Sequence, residues 1–129
     1  MEVPAFLLRR LYVRGSLRNE NGGFAFDLMN ALGSGYAERV LPISVDGEEV
    51  PVEAAAFTVD GETVRFSEVS ADRPMTLGLN KTVTLIVDGK TLSDGKHNIS
   101  VGFVVTGMGE MRFDVTDAVG DEVGGGDAD

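Results

Sequence analysis

Apolar and polar residues alternate with a period of two along most of the chain. The clearest case is residues 99–105, where Ile99, Val101, Phe103 and Val105 fall on one face of an extended segment. No window shows the 3.6-residue period of an amphipathic helix, so the pattern predicts a series of short β-strands. The same alternation recurs at five other places: Phe24, Phe26, Leu28 and Leu32; Leu41, Ile43 and Val45; Val64 and Phe66; Val83, Leu85 and Val87; Met111, Phe113 and Val115.

Turn-forming residues separate these segments. Asp-Gly pairs, which tolerate positive φ and suit tight hairpins, occur at Asp46-Gly47, Asp60-Gly61, Asp88-Gly89 and Asp94-Gly95. Residues 106–110, "TGMGE", predict a short hairpin between the last two strong strands. About eight or nine antiparallel strands at this spacing predict an all-β fold, an antiparallel β-sandwich or sandwich-like barrel.

The chain has the length of one domain. Its 129 residues contain no internal repeat and no interdomain linker. We therefore expect a single β-sandwich domain over residues 1–119. Residues 120–129, "GDEVGGGDAD", are rich in glycine and acidic residues and predict a flexible acidic tail.

Several predicted strands are also apolar on their second face, at Met29, Ala31, Val40, Ile86 and Val104. An antiparallel sheet with one face in water is normally polar at such positions. These side chains therefore lie under loops, or another chain covers part of the outer surface.

The charge of the chain narrows the choice of partners. The formal net charge is −10, from 21 acidic and 11 basic residues, which disfavours nucleic acid and anionic membranes. No apolar run approaches the ~18 residues of a membrane span, and no signal-peptide pattern occurs. The absence of cysteine excludes disulfides and thiolate chemistry, and it fits a cytoplasmic location.

Basic residues are concentrated near the N-terminus, where four of the 11 fall within ten residues. In an extended segment, Arg10, Tyr12 and Arg14 share one face, with Leu7, Leu11 and Val13 on the other. One interpretation is an edge strand protected by charge. The other is a docking strip formed by Arg10, Tyr12, Arg14 and Arg18, because Arg and Tyr are favoured at interface hot spots.

Candidate chemistry is sparse. His97 is the only histidine, and it shares parity with Ile99, Val101 and Phe103, so we expect a structural position at the rim of the core. A lone histidine in a chain without cysteine cannot form a common zinc site. No phosphate loop, nucleophile elbow or dinucleotide fingerprint occurs. The residues therefore predict no catalytic side chain and no metal ligand.

Three segments together resemble a known family. Residues 11–32, 92–105 and 109–119, including the pattern Leu92, Gly95, His97, Ile99, are similar to the small β subunit of C-glycoside deglycosidases. The resemblance implies a non-catalytic β-sandwich subunit that holds no cofactor. Its partner would be a TIM-barrel, sugar-isomerase-like α subunit that carries a divalent metal, expected to be manganese. Such a complex would cleave the C–C bond of 3-oxo-C-glycosides.

Two other function classes stay open on the residues alone. The first is a freestanding carbohydrate-binding domain, although such domains usually display aromatic side chains and this chain has no Trp and two Tyr. The second is a structural domain that self-associates through its apolar outer face.

Overall fold

The computed structural model of the chain describes residues 3–120. These residues form two antiparallel β-sheets that enclose one apolar core, which confirms the predicted all-β sandwich. Residues 121–129 of the predicted acidic tail lie outside the described residues. Within residues 3–120, no helix has the length and apolar character needed to cross a membrane.

The first sheet has five strands in the order β1-β2-β9-β6-β7. Its members are β1 (Arg18–Glu20), β2 (Gly23–Met29), β6 (Ala55–Val59), β7 (Glu62–Arg65) and β9 (Thr82–Val87). Strand β2 is an interior strand, with β1 on one side and the central strand β9 on the other. Five of its seven residues are buried.

The second sheet has six strands built around a long central hairpin. Its members are β3 (Gly35–Val40), β4 (Ser44–Val45), β5 (Glu48–Glu49), β8 (Met75–Leu77), β10 (Lys96–Val105) and β11 (Gly109–Ala118). Strand β10 pairs along its whole length with β11, and its other edge pairs with β4 and then with β3. Strands β5 and β8 extend the sheet beyond β4 and β3.

Positive-φ residues form the tight hairpins. Asp46 and Asp60 have φ of 51° and 53°, and each is followed by a glycine with positive φ, in the two-residue turns β4–β5 and β6–β7. The pair at residues 21–22, Asn-Gly, closes β1–β2 in the same way and was not singled out from the sequence. The remaining two Asp-Gly pairs lie in the connection from β9 to β10 and close no hairpin.

The N-terminal segment corrects the extended interpretation for residues 7–11, whereas Tyr12 is extended and forms an antiparallel bridge with Leu28. Residues Ala5–Leu8 form a short α-helix, α1, and Arg9–Leu11 form a 3-10 turn. Leu7, Leu8 and Leu11 have the spacing of one helical face and pack at one end of the sandwich. Burial of these leucines favours the helical conformation, although the short alternation of apolar residues in this segment is compatible with a strand.

Three further predictions of strand position were wrong. Leu32 lies in the connection after β2 and is exposed, whereas Phe66 begins a 3-10 turn, Phe66–Glu68, and is buried. Leu41 and Ile43 lie in the connection between β3 and β4. Residues 3–120 contain 11 strands, more than the eight or nine expected, because strands as short as two residues occur in β4 and β5. The strong alternating segments were predicted correctly, and their inward residues form the core.

Candidate functional site

A cavity opens between the two sheets at one end of the sandwich. Its volume is about 350 Å³, within the range typical of ligand pockets. Strand ends from both sheets, together with the N-terminal helical segment, form its wall. Apolar side chains of this wall include Leu7, Leu11, Leu28, Val83, Phe103 and Met111.

Polar side chains in the wall are engaged with the protein itself. The Asn30 amide donates to the carbonyl of Gly33 at 2.6 Å, which shapes the loop after β2. Ser34 Oγ accepts from the amide of Leu79 at 3.2 Å and ties that loop to the one before β9. Lys81 Nζ donates to the Asp60 carboxylate at 3.1 Å. The cavity therefore offers shape and apolar contact rather than directional hydrogen bonds.

Two exposed apolar side chains, Leu32 and Met108, lie in the wall of this cavity, and other exposed apolar residues lie nearby in the chain. Within residues 3–120, six large hydrophobic residues are exposed, and each lines the cavity or is the chain neighbour of a residue that does. Phe6 is 63% exposed and Tyr36 is 56% exposed. We call these six residues the apolar rim: Phe6, Met29, Leu32, Tyr36, Leu79 and Met108. The rim and the cavity together are called the apolar end.

Acidic residues are sparse at the same end. None of the chain's 21 acids falls in four of the segments that line it, but Glu110 lies beside the wall residue Met111, and Asp60 pairs with Lys81. On a chain with a net charge of −10, this is an uneven distribution. The segments are residues 3–11, 28–37, 75–83 and 103–109.

His97 lies at the opposite end, at the start of β10, with a side chain only 10% exposed. Its Nδ1 is 2.7 Å from an oxygen of the Asp46 carboxylate, and its Nε2 is 2.8 Å from the carbonyl oxygen of Ser93. Both ring nitrogens thus face acceptors, an arrangement that suits the doubly protonated imidazolium. The hydrogen bond to Asp46, and next that to Ser93, raise the pKa of His97. The Asn98 amide and then His97 lower the pKa of Asp46.

This arrangement resembles a Ser-His-Asp triad only in composition. Ser93 Oγ lies 3.5 Å from His97 Nε2, but that nitrogen is directed at the closer carbonyl oxygen of the same serine. A general base needs a free lone pair on Nε2 to take the hydroxyl proton. The geometry therefore favours a structural clamp between the β4–β5 turn and the loop before β10. The structural role of His97 stays a prediction that its pH dependence tests.

We expect the contribution of His97 to stability to be present at low pH and lost at high pH. A group with a raised folded-state pKa stabilises the fold below its unfolded pKa, about 6.5. That stability disappears as pH rises through the folded pKa. Thermal unfolding from pH 5 to 9 should give a wild-type Tm about 3 °C above that of His97→Gln at pH 5.5, and the gap should close in the alkaline range. A gap that stays constant with pH would contradict the charged clamp.

The four residues predicted as a partner-binding strip do not form one exposed surface. Tyr12 is buried, and its hydroxyl donates to the Asp117 carboxylate at 2.7 Å. Arg14 Nη1 donates to the carbonyl of Thr116 at 2.9 Å. Arg18 contacts the carboxylates of Glu20 and Asp27, whereas Arg10 is exposed. Partner binding by these residues stays a prediction.

Arg9 and Arg14 of the N-terminal segment form hydrogen bonds along the outer edge of β11. Arg9 Nε donates to the carbonyl of Asp114 at 2.9 Å, next to the bond that Arg14 makes on the same edge. Burial, reinforced by Asp117, raises the pKa of Tyr12. Burial opposes ionisation of Asp117, but hydrogen bonds from Tyr12 and two backbone amides outweigh it and lower the pKa of Asp117. The N-terminal segment thus covers an edge that would otherwise be open to strand pairing.

The described residues offer no cluster suited to a metal. Nowhere in residues 3–120 do three His, Asp or Glu side chains come together in a way that could hold an ion.

Comparison with known proteins corrects the family. Residues 7–120 match the family described as hydroxymethylglutaryl-CoA reductase, N-terminal domain. A search of the curated proteins found no match. The resemblance to the C-glycoside deglycosidase β subunit is therefore wrong, and the C–C bond cleavage inferred from it is withdrawn. Neither the carbohydrate-binding nor the self-associating alternative gains support.

The TIM-barrel partner and its manganese were predicted from that resemblance alone, and they remain predictions without other support. The match covers nearly all of the described residues and includes both sheets. The chain belongs to the family of the hydroxymethylglutaryl-CoA reductase N-terminal domain.

Proposed function

We propose that this chain is a docking domain without catalytic residues of its own, which binds a hydroxymethylglutaryl-CoA reductase polypeptide through the apolar end. The observation that carries the proposal is the apolar cavity at this end of the sandwich, with the exposed residues Leu32 and Met108 in its wall. The family match supplies the class of partner. The cytoplasmic location stays a prediction.

The composition of the apolar rim supports a protein interface. Aromatic residues and methionine are enriched in interface cores, and the rim contains Phe6, Tyr36, Met29 and Met108. Exposed apolar side chains scattered singly need no explanation, whereas a contiguous group marks an interaction site. Leu32 and Met108, which lie in the wall of the same cavity, are of the second kind.

The charge distribution supports the same surface. A chain with a net charge of −10 repels acidic proteins at most of its surface. Four of the segments that line the apolar end contain no acidic residue, so association there meets less repulsion between like charges across an interface. This end is therefore the surface best suited to close approach by another protein.

The extent of the rim favours a protein over a small ligand. A molecule that filled the 350 Å³ cavity would leave outward-facing Phe6 and Tyr36 in water. A protein surface would cover the cavity together with the exposed side chains in its wall, Leu32 and Met108. The gain from covering apolar area is about 25 cal/mol per Å², so an occupant that covers both gains more.

We expect removal of the rim to abolish docking. A variant with Leu32→Ser, Tyr36→Ser, Leu79→Ser and Met108→Ser should bind a hydroxymethylglutaryl-CoA reductase polypeptide from the same organism at least about 100-fold more weakly than wild type. Size-exclusion chromatography with mass determination, followed by calorimetric titration, measures the complex. Circular dichroism checks that the variant is folded.

A matched control changes exposed residues at the other end. Glu49→Ser with Thr91→Ala alters side chains that lie far from the rim and are exposed, and this variant should bind as wild type does. The proposal fails if wild type does not bind the reductase polypeptide, or if the rim variant binds with unchanged affinity.

A further inference from the structure

We propose that Asn21 is a site of spontaneous covalent modification, at which the side-chain amide is lost and the residue converts mainly to isoaspartate. Asn21 and Gly22 form the two-residue turn between β1 and β2. No residue of this turn lines the cavity of the apolar end. The inference therefore does not depend on the proposed function.

The reaction needs only the two residues of the turn and water. The backbone nitrogen of Gly22 attacks Cγ of the Asn21 side chain, and ammonia leaves as a succinimide ring closes. Water then adds to one of the two ring carbonyls and opens the ring, which gives either aspartate or isoaspartate. Asparagine and water thus become a carboxylic acid and ammonia, and no other reactant is required.

The residue after Asn21 favours this attack. Asn21 is the one asparagine of the five in the chain that precedes a glycine. Glycine has no side chain to hinder attack by its own nitrogen. The residues that follow the other four asparagines are Glu20, Ala31, Lys81 and Ile99.

Hydrogen bonds also distinguish Asn21 from other asparagines. The Asn19 side chain exchanges two bonds of 2.8 Å with the backbone of Leu92. The Asn98 amide donates to a carboxylate of β11 at 2.9 Å. Within residues 3–120, no hydrogen bond holds the Asn21 side chain or uses the backbone amide of Gly22, and both residues are exposed. The reacting groups are therefore accessible and unrestrained.

The Asp-Gly turns of similar shape are less reactive. The Asp46 carboxylate accepts from the backbone amide of Asn98 at 2.9 Å, and the Asp60 carboxylate accepts from Lys81 at 3.1 Å. An ionised carboxylate is also a poorer electrophile than a neutral amide. Asn21 therefore combines the reactive group with the freedom to use it.

Local opening of the hairpin allows the ring to close. Closure requires the peptide group between Asn21 and Gly22 to rotate away from the turn geometry. Strand β1 has three residues and lies at the edge of the first sheet, and such elements open at low free-energy cost. The reaction therefore does not require global unfolding.

Isoaspartate is incompatible with this hairpin. Its main chain passes through the side-chain methylene, so the turn gains one backbone atom and loses the register that pairs Arg18–Glu20 with β2. Aspartate has no such effect, because Asp46 and Asp60 occupy the equivalent positive-φ position in their own turns. The modification is thus expected to detach β1.

Ageing of the purified wild-type chain tests the reaction. After incubation at mildly alkaline pH, peptide mass spectrometry should show conversion of Asn21 at least about tenfold faster than conversion of Asn19 or Asn98, because the hairpin opens first. Chromatographic separation of the products should show more isoaspartate than aspartate. Similar rates at the three asparagines, or aspartate without isoaspartate, would overturn the inference.

Asn21→Gly is the matched control for the structural consequence. Glycine accepts the positive φ of this position and has no amide to lose. The isolated isoaspartate form should have a Tm at least about 4 °C below that of fresh wild type, whereas aged Asn21→Gly should keep its starting Tm. Fresh Asn21→Asp, which contains the other product, should stay within about 1 °C of wild type. An isoaspartate form with unchanged Tm, or an equal loss of Tm in aged Asn21→Gly, would overturn the inference.

Discussion

Replacing Phe26 with alanine should lower the free energy of unfolding by about 3–5 kcal/mol. Phe26 is fully buried in β2, where it pairs with Leu85 of the central strand β9. Its ring lies 5.9 Å from that of Tyr12 and 6.4 Å from that of Phe24, measured between centroids. Because these neighbours are themselves held in the core, the surrounding chain cannot collapse into the space left behind. Urea denaturation followed by circular dichroism measures the loss.

Phe6→Ala is the matched control for this substitution. The same side chain is removed, but Phe6 is 63% exposed in α1 and belongs to the rim. We expect its effect on unfolding to stay within about 0.5 kcal/mol. Comparable losses for the two variants would show that the core is not centred on β2.

The strands that alternate most strongly were predictable because their physical requirement is local. In β10 and β11, inward residues such as Val101 and Phe113 are buried, and their neighbours face outward. A sheet with one buried face imposes this period on any sequence that forms it. Antiparallel hairpins with Asp-Gly turns follow from the same local chemistry.

The N-terminal segment was not predictable in this way. Leu7 and Leu11 are compatible with a strand and with a helix, and the segment is too short for periodicity to separate them. What decides is the tertiary environment: this segment closes one end of the sandwich and caps the edge of β11 through Arg9 and Arg14. Neither contact can be deduced from sequence spacing.

Local sequence patterns also could not predict the apolar end. Its wall is assembled from strand ends and loops between Val3 and Phe113, and the topology brings them together. Met29 was noted as a surplus apolar residue on a second face, and it belongs to the rim. The stronger signal was the absence of acidic residues from segments 28–37 and 75–83 of an acidic chain.

The misleading resemblance has a structural explanation. The Leu92, Gly95, His97, Ile99 pattern builds the entry into β10 rather than a functional site. The backbone of Leu92 exchanges two hydrogen bonds of 2.8 Å with the Asn19 side chain, and His97 binds Asp46. Any β-sandwich that enters a central strand in this way has use for such residues. Similarity there reports a shared connection, not a shared activity.

Two backbone segments approach closely at Gly23, so this position requires a residue without a side chain. The chain at Val87 and Asp88 passes directly over Gly23 as it leaves β9, and a Cβ at Gly23 would overlap the carbonyl oxygen of Val87. The Asp88 amide donates to the carbonyl of Ala54 at 2.8 Å, which holds this crossing in place. Backbone atoms fixed by hydrogen bonds cannot move aside as a side chain does.

Gly23→Ala should therefore destabilise the protein by about 3 kcal/mol or more, although one methyl group is added. The matched control is Gly102→Ala, whose Cβ would meet the end of the Leu41 side chain at 2.8 Å. Leu41 is only half-buried and can rotate away, so we expect a loss within about 1 kcal/mol. Chemical denaturation of both variants under the same conditions measures the difference. Similar small losses would mean that β9 can shift away from β2, and that the first sheet is less rigid at this crossing than its hydrogen bonds indicate.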